Sequence, residues 1–336
     1  MTVRIGIIGV GLMGSDHARI IASSIQGAEV AAIYDADAMR AKAIADEVGA
    51  KIVAKTPEAL IADKGVDAVL IASPDATHAA LSLAALAARK PALCEKPLAP
   101  GSRACLEVVA AEVKLNRRLV QVGFMRRYDP PYVAMRAKRM SSELGAALML
   151  HCVHRNVSAP HFFTSDMAIA NSAPHEFDIL RYVLDSDATE ITVFQPQAAA
   201  QDALVKPVFM VMRSASGALI DVEIHNNAGY GYVVKSELVW ETGTVLMRAP
   251  VHAEINQSLA NLTPVPEDWR PRFADAYRLQ NQAFVRAVQA GAHLADGASA
   301  WDGYAATLVA EAGLRSLAEG RTVKIDMAAK PGLYNA

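Results

Sequence analysis

The chain is poor in cysteine, carries almost no surplus charge of either sign, and contains no long apolar run. Each shortage excludes a class of protein. Three cysteines in 336 residues, Cys94, Cys105 and Cys152, are too few and too scattered for a disulfide framework. The 33 basic and 35 acidic residues leave a formal net charge of −2, which argues against a nucleic-acid or anionic-membrane surface as the main business. No apolar run reaches the roughly 18 residues of a transmembrane helix. Met1-Thr2-Val3-Arg4 leads straight into a strand, without the hydrophobic region of a signal peptide. The expectation is a soluble, cytoplasmic protein with no nucleic-acid or membrane partner. No metal is expected either: His151-Cys152-Val153-His154 is not a zinc motif, because residues 151 and 154 of a strand point to opposite faces. What the chain does have is apolar material, 52% against 20% charged. That is ample for a packed core and excludes disorder. At about 100–200 residues per domain, the length suggests two domains.

Residues 1–123 alternate short apolar runs with helical patterns, as stacked βαβ units and a parallel sheet do. Strands are expected at Val3–Ile8, 30–34, Ala68–Ile71, Ala92–Cys94 and 119–122, the last closing the sheet. Helices are expected at Leu12–Ser24, 39–48, 78–88 and 103–116. Thr56 and Pro57 open a further short helix. Past Gly123 the pattern changes. A helix over 131–140 precedes strand-like stretches at 147–154, 190–194, 208–213, Leu219–His225, Val233–Trp240 and 245–248. Several alternate apolar and polar residues, which is how a mostly antiparallel, open sheet with one wet face reads. Two helical stretches, 273–289 and 299–318, follow, and the Ala/Pro/Gln-rich stretch around 195–205 is expected to be a flexible loop. The fold class is therefore α/β: a dinucleotide-binding domain over 1–123 and an α+β domain over 124–336.

Gly9-Val10-Gly11-Leu12-Met13-Gly14 is G-x-G-x-x-G between an apolar strand and a helix, with Asp35 ending the next strand. This is the context of a Rossmann dinucleotide site. Gly9 permits the tight turn, Gly11 lets the backbone approach a pyrophosphate, and Gly14 allows close helix–strand packing. The helix N-terminus offers N–H groups and a positive dipole to phosphate. A carboxylate at 35 accepts from ribose hydroxyls and repels a 2′-phosphate, and Ala36-Asp37-Ala38 holds no arginine to receive one. Arg40, the nearest, reads as a solvated helix residue, so NAD is favoured over NADP. Ser73, Pro74 and His78 follow the strand Ala68–Ile71, and Glu95 and Lys96 follow Ala92–Cys94. Both groups fall at the strand ends where open α/β sheets bind ligands. Lys96 precedes a proline, so its backbone is held extended.

With these marks the chain resembles the GFO/IDH/MocA oxidoreductases, and within them the inositol 2-dehydrogenases. The resemblance rests on the glycine motif, Glu95-Lys96-Pro97, Val122-Gly123-Phe124-Met125-Arg126-Arg127-Tyr128-Asp129, His151-Cys152-Val153-His154-Arg155-Asn156, His175-Glu176-Phe177-Asp178 and Ala298-Ser299-Ala300-Trp301-Asp302-Gly303-Tyr304. It implies that Lys96 contacts the reacting hydroxyl and that His175 is the general acid/base. It implies further that an aspartate completes the group one turn earlier, where this chain has Asn171. An amide cannot take a proton and supplies no charge to stabilise an imidazolium. Pro174 is tolerated only in a helix's first turn, which places residue 171 in the preceding loop or cap. Polar residues expected to orient a polyhydroxylated ring are Arg126, beside Met125, together with His154 and Asn156. Tyr230 and Tyr232 match a family segment whose tyrosine reaches substrate.

The resulting expectation is an NAD-dependent dehydrogenase that oxidises a secondary hydroxyl of a cyclic polyol, myo-inositol to an inosose. The family layout implies a homotetramer. One alternative keeps the fold and takes scyllo-inositol or a pyranose sugar. Another makes the protein a non-catalytic NAD-binding sensor or partner.

Overall fold

The structure, a computed structural model, describes residues 1–197, 205–248, 255–291 and 297–335. The stretch around 195–205 lies largely outside these. Two compact units emerge. One comprises Met1–Tyr128, Asp275–Thr307 and Ala328–Ala336, the other Asp129–Ala274 and Leu308–Met327. The first unit is therefore larger than residues 1–123.

In the first unit the chain runs β1 (Val3–Ile8), α1 (Leu12–Ser24), β2 (Ala28–Tyr34), α2 (Ala38–Val48), β3 (Ile52–Val53), α3 (Pro57–Ala62), β4 (Ala68–Ile71), α4 (His78–Ala87), β5 (Ala92–Cys94), α5 (Ser102–Leu115) and β6 (Val120–Val122). The helices start and stop where side chains say they should. Asp37 caps α2 by accepting from the Met39 and Arg40 N–H groups, and Gly49 ends it at φ 77°. Thr56 accepts from Ala59 N–H to cap α3. The strands are parallel in the order β6-β5-β4-β1-β2-β3. The connection reverses between β1 and β4, which is where open α/β sheets place their ligands. β1 is buried on both faces, as its unbroken apolar run requires.

Residues 119–122 do not close this sheet. A two-residue strand far along the chain, Ala298–Ser299, pairs antiparallel outside β6. Phe284 and Val285 also enter the core formed by Ile5, Ile7, Ile21 and Ile33. Strand pairing and burial thus draw this late sequence into the first unit.

The second unit contains α6 (Pro130–Ser141), β7 (Ala147–Arg155), α7 (Ser165–Met167), α8 (Pro174–Leu184), β8 (Ala188–Phe194), β9 (Val208–Ser214), β10 (Leu219–His225), β11 (Val233–Trp240) and β12 (Thr244–Leu246). With Val323–Lys324 these strands form one sheet, ordered β12-β11-β7-β10-β9-β8 and then 323–324. All pairs are antiparallel except β10 with β7. Leu150, Cys152, Ile220, Val222, Met210 and Leu238 point to the buried face. Met149, Leu219, Phe209 and Phe194 stand exposed on the other, as the period of two demands.

Helical structure also starts earlier than the proline suggests. α7 runs into a π-helical turn, Ala168–Ser172, in which Ala173 N–H bonds the Ala168 carbonyl at 3.0 Å. Pro174 has no N–H to donate, and the widened turn carries the chain past that missing bond into α8. Among the described residues no helix is long and apolar enough to cross a membrane, and no cluster of three acidic, histidine or cysteine side chains could hold a metal ion.

Candidate active site

The first unit builds a phosphate-binding turn at the end of β1. Gly9 adopts φ 87°, which side-chain-bearing residues rarely take, and a Cβ there would lie 2.6 Å from the Ser73 nitrogen. At Gly14 a Cβ would stand 1.9 Å from the Gly9 carbonyl oxygen, so helix and turn pack at glycine distance. Around Gly11 the space is open to 4 Å. No side chain caps α1, whose first turn exposes Leu12 and half-buries Met13. This cradle fits a pyrophosphate held by backbone N–H groups.

Asp35 is turned to the same turn. Its Oδ2 accepts from Val10 N–H at 2.8 Å and its Oδ1 from Asp37 N–H at 2.8 Å. Arg40 is not merely solvated, since its Nη2 lies 2.7 Å from Asp35 Oδ1. Burial pushes the carboxyl up, yet Arg40 and the two N–H groups outweigh it and hold its pKa below the ordinary aspartate range. The group is thus a carboxylate at working pH, suited to ribose hydroxyls.

Two residues expected at the dinucleotide, Glu95 and His78, are buried and hydrogen-bonded within the first unit. Glu95 is 6% exposed and accepts from the buried His17 at 2.9 Å and from Lys96 N–H at 3.2 Å. Asn281 holds the other ring nitrogen of His17 at 3.0 Å. A Cβ at Gly123 would lie 2.7 Å from the Glu95 carboxylate, so that glycine leaves it room. His78 gives its two ring nitrogens to the backbone carbonyls of Pro97 and Ser73. Ser73 itself is half-buried, with its hydroxyl 2.6 Å from that of Thr77, and Pro74 is exposed. Lys96 is half-buried, and its peptide bond to Pro97 is cis. Met125 and Arg126 follow β6 in a single 3₁₀ turn, 2% and 1% exposed, so Arg126 is a buried guanidinium and not a surface charge.

The second unit gathers a separate set. His175 occupies the first turn of α8 and is 8% exposed. Asn171 lies in the π-helical turn before it, inside helical structure and not in the loop or cap expected from Pro174. Ser172, next to it, accepts from Asn226 at 2.8 Å. His154, on the buried face of β7, pairs through Nδ1 with Glu176 at 3.2 Å and meets the Tyr232 ring edge-on. Asn156 is half-buried just past β7, where its N–H bonds the His225 carbonyl.

Tyr230 does not join this set. It is 60% exposed and packs with Arg155 and His225, on the other face of the sheet. Sequence reading took Arg40 for a solvated residue and gave His17 and Glu176 no role in the site. Periodicity carried a signal for His17, because 17 shares the buried stripe of α1 with Gly14, Ala18 and Ile21.

A glycine cradle, an ionised Asp35 and an open α/β sheet define a dinucleotide-binding protein of the Rossmann type. The profile described as "Oxidoreductase family, NAD-binding Rossmann fold" matches residues 3–124, and that of the "GFO/IDH/MocA C-terminal domain" matches 132–246. The chain belongs to the GFO/IDH/MocA oxidoreductase family, and its cofactor is NAD. It is 48% identical to inositol 2-dehydrogenase 1 of Saccharopolyspora erythraea over 99% of both chains. To inositol 2-dehydrogenase of Streptomyces avermitilis it is 44% identical, over 98% of this chain and 96% of that one. The crystal structure of myo-inositol dehydrogenase from Lactobacillus casei with NAD(H) and myo-inositol superposes with a TM-score of 0.95, at 33% identity and full coverage of both chains. Scyllo-inositol dehydrogenase from the same organism, at 21% identity and TM-score 0.88 over 97% of this chain and 99% of that one, shares the fold.

Proposed function

We propose that the chain oxidises a secondary hydroxyl of a cyclic polyol, converting myo-inositol to 2-keto-myo-inositol. What carries this reading is its likeness, along the full chain, to an enzyme named for myo-inositol and seen with it; Lys96 and His175 stand in the Glu-Lys-Pro and His-Glu-x-Asp segments on which the family resemblance rests. NAD, held by Gly9, Gly11, Gly14 and Asp35, supplies the hydride acceptor when bound. The Lys96 ammonium donates to the reacting hydroxyl oxygen and favours its loss of a proton. His175 takes that proton, for which an imidazole of ordinary pKa about 6.5 is suited. His154, fixed by Glu176, then Asn156, Tyr232 and Arg126 orient the remaining hydroxyls, whose number explains why so many polar groups are needed. Asn171 can donate and accept hydrogen bonds but takes no proton.

Asn171 favours a second reading, in which scyllo-inositol or a pyranose is the substrate. NADH formation against a panel of inositol isomers and pyranoses decides between them. Fastest turnover of myo-inositol supports the first reading and fastest turnover of another polyol the second. NAD binding without any turnover would leave only a sensor. By its family likeness the chain is further proposed to assemble as a homotetramer through the exposed face of its second sheet.

A further inference from the structure

Two loops at the carboxyl edge of the first sheet carry expected site residues: Ser73-Pro74 after β4, expected at the cofactor, and Lys96 before Pro97 after β5, expected at the reacting hydroxyl. One side chain joins them. His78 is 1% exposed, with Nδ1 2.7 Å from the Pro97 carbonyl oxygen and Nε2 2.8 Å from that of Ser73. A carbonyl oxygen only accepts. A neutral imidazole has one N–H and one lone pair, so between two carbonyls it would set its lone pair against an oxygen. Satisfying both contacts takes a proton on each nitrogen. Burial opposes the charge, while the two carbonyl oxygens, which can only accept, favour it and raise the pKa.

The residue before Lys96 is held as well, since Glu95 accepts from His17 at 2.9 Å. Lys96 therefore stands between two residues that buried histidines fix in place.

We propose that His78 is a positioning residue for the reaction, a buried imidazolium that ties the Ser73 and Pro97 carbonyls together and so sets where the Lys96 ammonium stands. This rests on Lys96 acting on the substrate hydroxyl. It gives a buried cation a task without any contact to substrate. The charge exists to supply two donors at once, which no neutral side chain of this shape can do.

The first test uses the unaltered protein without cofactor. Nitrogen NMR of the His78 ring at about pH 8, where an ordinary histidine is neutral, is expected to show both nitrogens protonated. One unprotonated nitrogen would overturn the proposal. The second test compares His78→Gln, which keeps a donor amide, with His78→Phe, which keeps none. We expect kcat to fall about tenfold in the first and about a hundredfold in the second. NAD affinity, measured by direct binding, should stay within about threefold in both. Weakened NAD binding with kcat preserved would show that the ring serves only the cofactor loop. The NMR measurement needs no substitution and stands should either variant fail to fold. Wild-type turnover by Lys96→Ala would remove the underlying reading while leaving the imidazolium signature intact, so the two failures are distinguishable.

Discussion

Cofactor choice rests on one carboxylate and its partners. Asp35 is held ionised by Arg40 and two backbone N–H groups. We expect NAD to be preferred over NADP by about tenfold or more in kcat/KM, about 1.4 kcal/mol. Replacing Asp35 with Ser and Ala36 with Arg should erode that preference. Equal use of both cofactors by the unaltered enzyme would remove Asp35 from the assignment. Its lowered pKa also has a sign. The folded state binds that proton less tightly than the unfolded one, so this contribution to stability is present above the ordinary aspartate pKa and lost as pH falls. Asp35→Asn should accordingly lose less stability on acidification, measured by urea unfolding at neutral pH and in acid. Asp35 was legible from its spacing after the glycines. Arg40, Glu95 and His78 were visible as residue types but not as contacts. The partners of Glu95 and His78 are chosen by tertiary packing, His17 of α1 standing 78 residues from Glu95 and the Ser73 and Pro97 carbonyls lying in the loops after β4 and β5.

At the scale of elements, the π-helical turn settles where Asn171 stands. It lies on a helical path one turn ahead of His175, so an aspartate there would favour the protonated imidazole. Asn171→Asp should move the acidic limb of the kcat/KM pH profile to a higher apparent pKa and re-rank the polyols accepted. An unchanged profile with an unchanged order would place residue 171 outside the reaction. Sequence reading put 171 in a loop or cap because Pro174 is tolerated only in a helix's first turn, and a π turn is a local remedy that no propensity announces. The C-terminal segment offers a second test. Tyr334 donates to the buried carboxylate of Glu112, which also accepts from Leu119 and Val120 N–H. Tyr334→Phe leaves that carboxylate one donor short and should cost about 1–3 kcal/mol in chemical denaturation. A variant as stable as the parent would show that this tie contributes nothing.

At the scale of the whole molecule, both sheets were legible because their apolar patterns differ, one continuous and one alternating. The membership of the late segments was not. A two-residue strand at Ala298–Ser299 carries almost no pattern, and only the edge of β6 gives it a partner. The exposed face of the second sheet mixes Met149, Leu219, Phe209 and Phe194 with the Arg155–Glu223 and His151–Asp221 pairs. Exposed apolar side chains grouped on a regular face suit association of copies. Sedimentation should give a tetramer, and Phe209→Asp with Leu219→Asp should yield smaller species. A monomer at micromolar concentration would contradict the proposed assembly.

The central claim is that Lys96 acts in the proposed oxidation of a cyclic polyol, and it is tested most directly by NADH formation from myo-inositol in the parent and in Lys96→Ala. The account predicts turnover in the parent and a loss of kcat of about a hundredfold or more in the variant, with NAD binding little changed. Equal turnover in the two proteins, with myo-inositol oxidised by both, would contradict it.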